Sequence, residues 1–329
     1  MAVPSVPVEC KVDMWIKMRV PPIGVRRSEA VWRLRSRSLQ LGRRTLVMGI
    51  VNITPDSFSD GGRYLALEKA VAHCVRLLED GADLLDLGAE STRPGSRAGG
   101  LPGSDDAPAV SADQEQERLL PVVEGILRLR PDAILSVDTY KSATARAAVA
   151  AGVEIVNDVS GFTWDEEMAA VCAQSGCGVV LMHTRGRPDD WSSQERLSPE
   201  ALQLEVRSGL SASMQRALQA GIALEAIVLD PGYGFGKRFE ENFALLARQR
   251  ELLELGRPIL AGLSRKSFLG RALAPLYDGA DAPIEGRDTA SLAAQAIAIL
   301  QGASIIRSHA VRPAAEAALI ADAVLAAGA

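Results

Sequence analysis

The sequence from residue 46 onward alternates short apolar runs with longer stretches of helical periodicity, and this alternation repeats eight times. The first apolar run is Leu46 to Ile53, LVMGIVNI, which is interrupted only by Gly49 and Asn52. Short runs of this kind are typical of strands buried on both faces of a parallel sheet. Eight strand-helix pairs close such a sheet into a (β/α)8 TIM barrel, an α/β fold, which is the predicted fold class. A doubly wound open sheet is the alternative, and the number and lengths of the pairs disfavour it.

Each predicted strand is followed by one predicted helix. The strands cover residues 46–53, 84–88, 134–138, 155–158, 179–182, 227–230, 259–262 and 304–306. The helices cover residues 66–80, 114–130, 142–151, 166–175, 199–220, 241–255, 289–301 and 313–326. Gly81 and Gly152 directly follow two of these helices, at the position where glycine commonly ends a helix.

The segment before the first strand has a different pattern. Residues 1–30 contain several prolines and no clear amphipathic period, which predicts a flexible tail. Residues 31–44 alternate apolar and basic side chains, which predicts a half-exposed β-hairpin. The basic row is more often the solvated face of an edge hairpin than a phosphate or nucleic-acid patch. Residues 31–329 are therefore predicted to form a single barrel domain with an N-terminal hairpin.

Charge and composition narrow the class of protein. A net charge of -5 disfavours a chain whose main partner is nucleic acid. The 4 cysteines have no paired metal spacing, and so few cysteines in 329 residues fit a reducing cytosol. No apolar run approaches the roughly 20 residues of a membrane span, and the first residues lack the pattern of a signal peptide. These features predict a cytoplasmic protein with no membrane or nucleic-acid partner.

Polar or charged side chains follow every predicted strand. In a TIM barrel the active site is built at the carboxyl ends of the strands. A helix cap or a turn explains any one of these side chains, but eight in one ring indicate a site. They are Asn52, Glu90 to Arg93, Asp138, Asn157 with Asp158, His183 to Arg185, Asp230, Ser264 to Ser267, and Arg307 to His309.

One part of this ring is rich in hydrogen-bond acceptors. Asp138, Asn157 and Asp230 supply two carboxylates and one amide, and Lys266 supplies a donor. Such a set suits a flat heterocycle that carries an amino group and ring N–H donors beside a carbonyl.

The other part of the ring is basic. Arg265, Arg307 and His309 follow the last two strands, where barrels of this class often bind phosphate. Asn52 lies next to them in the barrel topology and suits a Mg²⁺ that is bound mainly by phosphate oxygens. The sequence therefore indicates a planar heterocyclic substrate that carries a phosphate or diphosphate.

Eight motifs resemble those of the dihydropteroate synthase family. In chain order they are MGIVNITPDSFSDGG, DLGAESTRPG, SVDTYK, NDVSG, VLMHTRG, LDPGYGFGK, GLSRKSFLG and IIRSHAV. The resemblance extends from Leu46 to the C-terminus. It implies an enzyme that condenses 6-hydroxymethyl-7,8-dihydropterin diphosphate with 4-aminobenzoate. The products would be diphosphate and 7,8-dihydropteroate, the latter for folate synthesis. The resemblance also implies a homodimer, and a sulfonamide resembling 4-aminobenzoate should compete for the site.

The resemblance assigns roles to individual residues. It implies that the pterin contacts Asp138, Asn157, Asp230 and Lys266. It implies that Mg²⁺ is bound by Asn52, and that diphosphate is bound by Asn52, Thr92, Arg307 and His309. It implies that 4-aminobenzoate contacts Thr92, Pro94, Phe235, Arg265 and Ser267. The residues expected to take part in the chemistry are Asn52, Arg93, Lys266, Arg307 and His309.

The sequence departs from the family pattern at two places. The last family motif usually reads His-Asp-Val, whereas this chain has His309-Ala310-Val311 and so lacks one carboxylate. The loop after Pro94 is also longer than usual. A pterin-binding methyltransferase domain and a catalytically silent paralogue are the alternatives. The first needs neither the Ser-Arg-Lys-Ser cluster nor the long motifs after the first two strands, and the basic side chains retained in the ring argue against the second.

The expected chemistry needs no strong base. Loss of diphosphate from a CH₂ group beside a pterin leaves a positive charge that the ring can spread, which favours an SN1-like path. An arylamine is already neutral at pH 7. Accordingly, His73 and His183 are predicted to have core or surface roles.

Overall fold

The computed structural model describes residues 27–53, 62–91 and 110–328, together with Gly24 and Ala98. Within these residues, β1 (Ala30–Arg33) and β2 (Ser38–Leu41) form an antiparallel pair, and eight parallel strands close into a barrel. The barrel strands are β3 (Leu46–Asn52), β4 (Leu84–Gly88), β5 (Leu135–Asp138), β6 (Ile155–Asp158), β7 (Gly178–Met182), β8 (Ile227–Asp230), β9 (Ile259–Ala261) and β10 (Ala303–Ser308). They follow one another in sequence order around the barrel, and β10 pairs with β3. The predicted TIM barrel and the predicted hairpin are confirmed.

Helices lie between the barrel strands. They are α1 (Gly62–Glu79), α2 (Ala112–Leu129), α3 (Ser142–Ala150), α4 (Met168–Ser175), α5 (Pro199–Gln219), α6 (Phe239–Ala247), α7 (Ser267–Ala272), α8 (Asp288–Leu300) and α9 (Val311–Ala327). Local capping fixes where several begin. Ser111 accepts a hydrogen bond from the amide of Gln114 at the start of α2, and Ser198 caps α5 one residue before a proline. None of the described helices is long and apolar enough to cross a membrane.

Two helical segments differ from the prediction. The predicted helix 241–255 is divided into α6 and a 3-10 helix, Gln249–Leu255. Both helix types place apolar residues three or four positions apart, so periodicity does not distinguish them. Helix α7 was not predicted, because 6 residues are too few to leave a periodic pattern.

The inward-facing side chains of the strands form a core at the amino end of the barrel, and the hairpin covers this core. Met48, Leu84 and Ile305 belong to the same buried cluster as Trp32 and Leu41 of the hairpin. The Trp32 side chain is fully buried, and its Nε1 donates a hydrogen bond of 2.9 Å to the carbonyl of Ala226, just before β8. The hairpin therefore closes the barrel at the end opposite the carboxyl termini of the strands.

Arg27 lies within the range that the sequence predicted as a tail, yet it packs against the barrel. Its side chain is buried and donates to Thr45 Oγ1 at 2.7 Å, to the carbonyl of Ala303 at 3.0 Å and to Asp322 Oδ1 at 2.6 Å. Asp322 also accepts from the Thr45 amide at 2.7 Å. The chain is thus fastened to α9 and β10 from residue 27 onward, whereas residues 1–23 lie outside the described residues.

Candidate active site

The strand ends place polar side chains in one layer above the apolar interior. On β4, β6, β8 and β10 the inward positions run from apolar to polar: Leu84 then Asp86, Ile155 then Asn157, Val228 then Asp230, and Ile305 then Arg307. Because side chains alternate between the two faces of a strand, residues two apart point into the same interior. The inward-facing residues of each of these four strands therefore belong to the apolar core nearer the amino end of the strand and to the polar layer toward its carboxyl end.

Arg307 is held between two carboxylates in this layer. Its Nη2 donates to Asp138 Oδ2 at 2.7 Å, and its Nε donates to Asp86 Oδ2 at 2.6 Å. The Arg307 side chain is 19% exposed and the Asp86 side chain 0% exposed, so water does little to weaken this pair. The resemblance assigned Arg307 to the diphosphate, and the structure places its guanidinium against Asp138 of the pterin half and against Asp86.

Asp86 is a site residue that the sequence reasoning missed. Besides Arg307, it accepts from Asn157 Nδ2 at 2.9 Å and from Ser136 Oγ at 2.6 Å. Its signal in the sequence is a lone acidic residue between leucines in a buried strand. Such a residue requires partners inside the protein, because an unpaired buried charge is very costly.

Asp138 keeps one oxygen for a further donor. Its Oδ1 is buried and has no hydrogen-bond partner among the described residues. The pKa of Asp138 is raised to about 7, mainly by burial; the nearby Asp86 and Glu115 also raise it, whereas Arg307 and Lys266 lower it. The side chain is therefore poised to accept a hydrogen bond and to change its ionisation near neutral pH.

Asp230 lies across the same layer at the end of β8. Asp230 is 5% exposed, and its Oδ1 accepts from the Gly232 amide at 2.7 Å. Burial raises the pKa of Asp230, and the Gly232 hydrogen bond and the charges of Lys266 and Arg307 counteract this rise. Lys266 thus lies near enough for its charge to act on both Asp138 and Asp230.

Lys266 also faces an aromatic wall. Its Nζ lies 4.0 Å from the centroid of the Phe235 ring. Gly234 has a φ of +83, and a Cβ at this position would lie 3.3 Å from Lys266 Cδ, so glycine suits both the turn and the approach of the lysine. The structure therefore brings Phe235 and Lys266 together, although the resemblance assigned them to different ligands.

A buried lysine fastens the loop that carries Phe235. Lys237 Nζ donates to the carbonyls of His183, Gly232 and Phe235 at 3.1, 2.8 and 3.2 Å. Burial lowers the pKa of Lys237 to about 7. Burial also lowers the pKa of His183 well below its usual value, and the charges of Lys237 and Arg185 lower it further. A neutral, buried His183 fits a core role, one of the two roles, core or surface, that the sequence predicted for it.

The basic half of the ring contains Asn52 and His309. Asn52 Nδ2 lies 3.5 Å from His309 Nε2, and His309 Nδ1 lies 3.0 Å from Ser264 Oγ. Among the described residues, no cluster of three or more His, Cys, Asp or Glu side chains can hold a metal ion. An amide beside one histidine suits a Mg²⁺ that arrives with phosphate oxygens, not a site built from protein ligands alone.

The Arg265 region has a strained backbone and a fixed side chain. Arg265 has a φ of 57, in the left-handed region, and its amide donates to Ser291 Oγ at 2.9 Å. Its Nε and Nη2 donate to the two carboxylate oxygens of Asp288 at 2.7 and 3.0 Å. Ser267 opens α7 and is exposed. Positive φ in a non-glycine residue is uncommon and often marks a functional site.

The predicted residues after β4 are only partly described. Thr92, Arg93 and Pro94 lie outside the described residues. The start of that segment is fastened by Lys141 and Glu115, which sequence reasoning missed, together with Glu90 of the predicted ring. Lys141 Nζ contacts Glu90 Oε2 at 2.5 Å and Glu115 Oε2 at 3.2 Å, and all three side chains are buried.

Ala310, where the family pattern has Asp, occupies the N-cap of α9. No side chain caps this helix end through a hydrogen bond. An Asp at this position could accept a hydrogen bond from the first turn of α9, since Asp is among the preferred N-cap residues, whereas Ala310 cannot.

Comparison with known proteins identifies the family of this chain. The sequence profile of the pterin binding enzymes matches residues 48–309. The chain is 40% identical over 288 residues to the dihydropteroate synthase of Bacillus subtilis (strain 168), covering 88% of this chain and 91% of that protein. The structure of Xanthomonas albilineans dihydropteroate synthase with 4-aminobenzoic acid matches with a TM-score of 0.77 at 40% identity, covering 91% of this chain and 99% of that one. For the Yersinia pestis enzyme with a sulfonamide drug the TM-score is 0.78 at 38% identity, and the coverages are 90% and 99%. The chain therefore belongs to the dihydropteroate synthase family of pterin-binding enzymes, and it is a transferase of folate synthesis.

Proposed function

We propose that the polar layer at the carboxyl ends of the strands binds 6-hydroxymethyl-7,8-dihydropterin diphosphate through its pterin ring. The observation that carries this proposal is the convergence of Asp138, Asn157 and Asp230 with Lys266 in one buried layer. The two carboxylates accept from the amino group and the ring N–H groups, and Lys266 donates to the ring carbonyl. A pocket whose buried polar groups are satisfied only by the correct ligand discriminates strongly against others.

In this proposal the reaction is displacement at the CH₂ group beside the ring. The bond from this carbon to the diphosphate oxygen breaks, and a bond to the nitrogen of 4-aminobenzoate forms. The nitrogen then loses a proton to solvent, so no strong general base is needed. The positive charge that develops on the pterin is stabilised by Asp138 and Asp230, whose carboxylates face it in a poorly solvated layer.

The leaving group requires positive charge and hydrogen-bond donors. We assign this role to Asn52, Thr92, Arg307 and His309, with Arg93 near the reacting centre. When bound, Mg²⁺ neutralises the diphosphate charge, and Asn52 is the residue proposed to contact it. The proximity of Asn52 to His309 supports this assignment.

The second substrate is assigned to the adjoining wall. We propose that 4-aminobenzoate contacts Thr92, Pro94, Phe235, Arg265 and Ser267. The Xanthomonas albilineans relative holds 4-aminobenzoic acid, and the Yersinia pestis relative forms a complex with a sulfonamide drug. A sulfonamide should therefore inhibit this enzyme competitively with 4-aminobenzoate.

A homodimer is the proposed assembly. Ile297 on α8 is 45% exposed, and on α9 Leu319 and Ile320 are each 69% exposed and Val324 40%. Large exposed apolar side chains on two neighbouring helices favour an interface at this face. Sedimentation at micromolar concentration should give twice the chain mass, and Leu319→Glu with Ile320→Glu should give the monomer. A cytoplasmic location likewise stays a prediction, which cell fractionation would test.

The proposed roles are tested by release of diphosphate. The assay contains the pterin diphosphate, 4-aminobenzoate and Mg²⁺, with either substrate omitted as a control. The expected result is release that requires both substrates and yields 7,8-dihydropteroate. A chain that binds pterin but releases no diphosphate would be a silent paralogue, and the proposal would then be abandoned.

A further inference from the structure

Asp86 lies at the centre of the polar layer, but none of the proposed substrate contacts includes it. Its side chain is 0% exposed, and its two oxygens accept from Arg307 Nε, Asn157 Nδ2 and Ser136 Oγ. By strand register Asp86 lies opposite Ser136, two residues before the end of β5, so it is deeper in the barrel than Asp138. Two of its three partners are residues assigned to substrate binding. Asp86 thus supports the site from below.

The first consequence concerns the direction of the Asn157 amide. An asparagine can turn over and exchange its oxygen with its NH₂ group, with little change in shape. An ionised carboxylate only accepts hydrogen bonds, so it stabilises the orientation in which Nδ2 points toward it. Asp86 therefore directs Nδ2 down into the barrel and leaves Oδ1 as an acceptor for a substrate N–H group.

The second consequence concerns the plane of the Arg307 guanidinium. Asp86 binds Nε at 2.6 Å, and Asp138 binds Nη2 at 2.7 Å. These two bonds fix the position and tilt of the planar group. Without Asp86, only Asp138 would hold the guanidinium, and Asp138 would be drawn further into that ion pair.

We propose that Asp86 is a positioning residue for pterin binding, which orients the Asn157 amide and the Arg307 guanidinium without touching the substrate. This inference rests on the proposed binding of the pterin by Asn157. It differs from a purely structural role, because it predicts that the direction of one hydrogen bond matters and not only the stability of the barrel.

The discriminating variant is Asn157→Asp. This change keeps an oxygen that can accept from the pterin, but it removes the donor that Asp86 requires and places two carboxylates face to face. The two carboxylates should share a proton at low pH and repel at high pH. The affinity for the pterin diphosphate with Mg²⁺, measured by calorimetry, should therefore be at least tenfold below that of wild type at pH 8. Compared with wild type at the same pH, this deficit should shrink toward pH 5.5. If Asn157 served only as an acceptor for the substrate, Asn157→Asp would bind the pterin diphosphate normally at pH 8.

The second variant is Asp86→Asn, with Asp158→Asn as its matched control. Asp158 is also fully buried near the end of a barrel strand, but it accepts from the amides of Ser160 and Phe162 instead of from site residues. Both changes should lower the melting temperature. Only Asp86→Asn should raise KM for the pterin diphosphate by tenfold or more, with KM for 4-aminobenzoate changed less than threefold.

The outcomes distinguish failure of the proposed pterin site from failure of the proposed role of Asp86. Wild-type protein that binds no pterin would overturn the assigned site and the role of Asp86 with it. Pterin binding in the wild type together with normal binding by Asn157→Asp at pH 8 would overturn the role of Asp86 alone. This second result does not require Asp86→Asn to fold. Equal changes in KM for Asp86→Asn and Asp158→Asn would show that burial, not orientation, explains the effect.

Discussion

Asp138 should make the use of the pterin substrate depend on pH near neutrality. Burial raises the pKa of this carboxyl to about 7, and its Oδ1 has no partner among the described residues. In the proposed site an ionised Asp138 would accept from an N–H group of the pterin, whereas a protonated one would present its own hydrogen to that donor. Because the pKa is raised, the form that binds is present above about pH 7 and is lost as the pH falls.

The size of the effect follows from this pKa and from the worth of one buried hydrogen bond. At pH 6, one unit below the pKa, the ionised fraction is about one tenth, so kcat/KM for the pterin diphosphate should be about tenfold below its plateau. Asp138→Asn replaces the acceptor with an amide, and an unsatisfied buried polar group costs about 1 to 3 kcal/mol. At pH 8 kcat/KM of the variant should therefore be about 5- to 150-fold below that of wild type. At pH 6 the ratio of wild type to variant should be about tenfold smaller, because wild type itself has lost about tenfold.

The assay is steady-state diphosphate release from pH 5.5 to 8.5 at saturating 4-aminobenzoate and Mg²⁺. Wild type and Asp138→Asn are compared at each pH, so any pH dependence left in the variant belongs to other groups, of which Asp230 is one. The wild-type inflection should disappear in the variant. A flat wild-type profile, or an inflection near pH 7 that persists in Asp138→Asn, would refute the assigned role of Asp138.

Four further predictions concern stability and ligand binding. Trp32→Ala should lower the free energy of unfolding by about 3 to 5 kcal/mol, because it empties the amino end of the barrel. Val31→Ala in the same strand, 40% exposed, should change it by less than about 0.5 kcal/mol; denaturant titration compares the two. Ala310→Asp should raise the free energy of unfolding by about 1 kcal/mol by capping α9, and an unchanged midpoint would show that the cap is not missing. Calorimetry should detect only weak Mg²⁺ binding without diphosphate, since Asn52 alone cannot replace the ion's waters, and tight binding would indicate another site. Finally, 4-aminobenzoate should bind at least tenfold more tightly when Mg²⁺ and diphosphate are present, because Ser267, on one wall of its proposed site, is exposed and the site is incomplete without them. Equal affinity in titrations with and without diphosphate would mean a preformed second site.

The fold could be predicted because its signals are local and repeated. The apolar run of each barrel strand contains both the outward layer against the helices and the inward layer of the barrel, so every strand is visible without its neighbours. The number of repeats then determines closure. Helix α7 and the 3-10 segment after α6 were missed for the opposite reason, since a single turn or a change of helix type leaves no periodic signal.

The ring of polar side chains at the strand ends could be predicted in part, because parallel strands bring their carboxyl ends to one edge. That rule selects Asp138, Asn157 and Asp230 without knowledge of their distances. It does not select Asp86, which lies two residues before the end of β4 and points into the barrel. It also cannot pair Lys141 with Glu90 and Glu115, since side chains 51 and 26 residues apart meet only in the folded protein.

The position of Asp86 suggests how a barrel can carry a polar site on an apolar core. A pterin pocket needs acceptors of fixed direction, but an amide such as Asn157 has no fixed direction when it rests on apolar side chains. One solution is a group with only acceptor character in the layer below the substrate, and a carboxylate in that place must itself be neutralised. Asp86 meets the first condition and Arg307 the second, and Ser136 supplies the remaining hydrogen bond. Between the apolar core and the substrate there is thus a separate layer of polar side chains. For this reason an acidic residue inside a leucine-rich strand indicates a nearby site even when that residue does not contact the substrate.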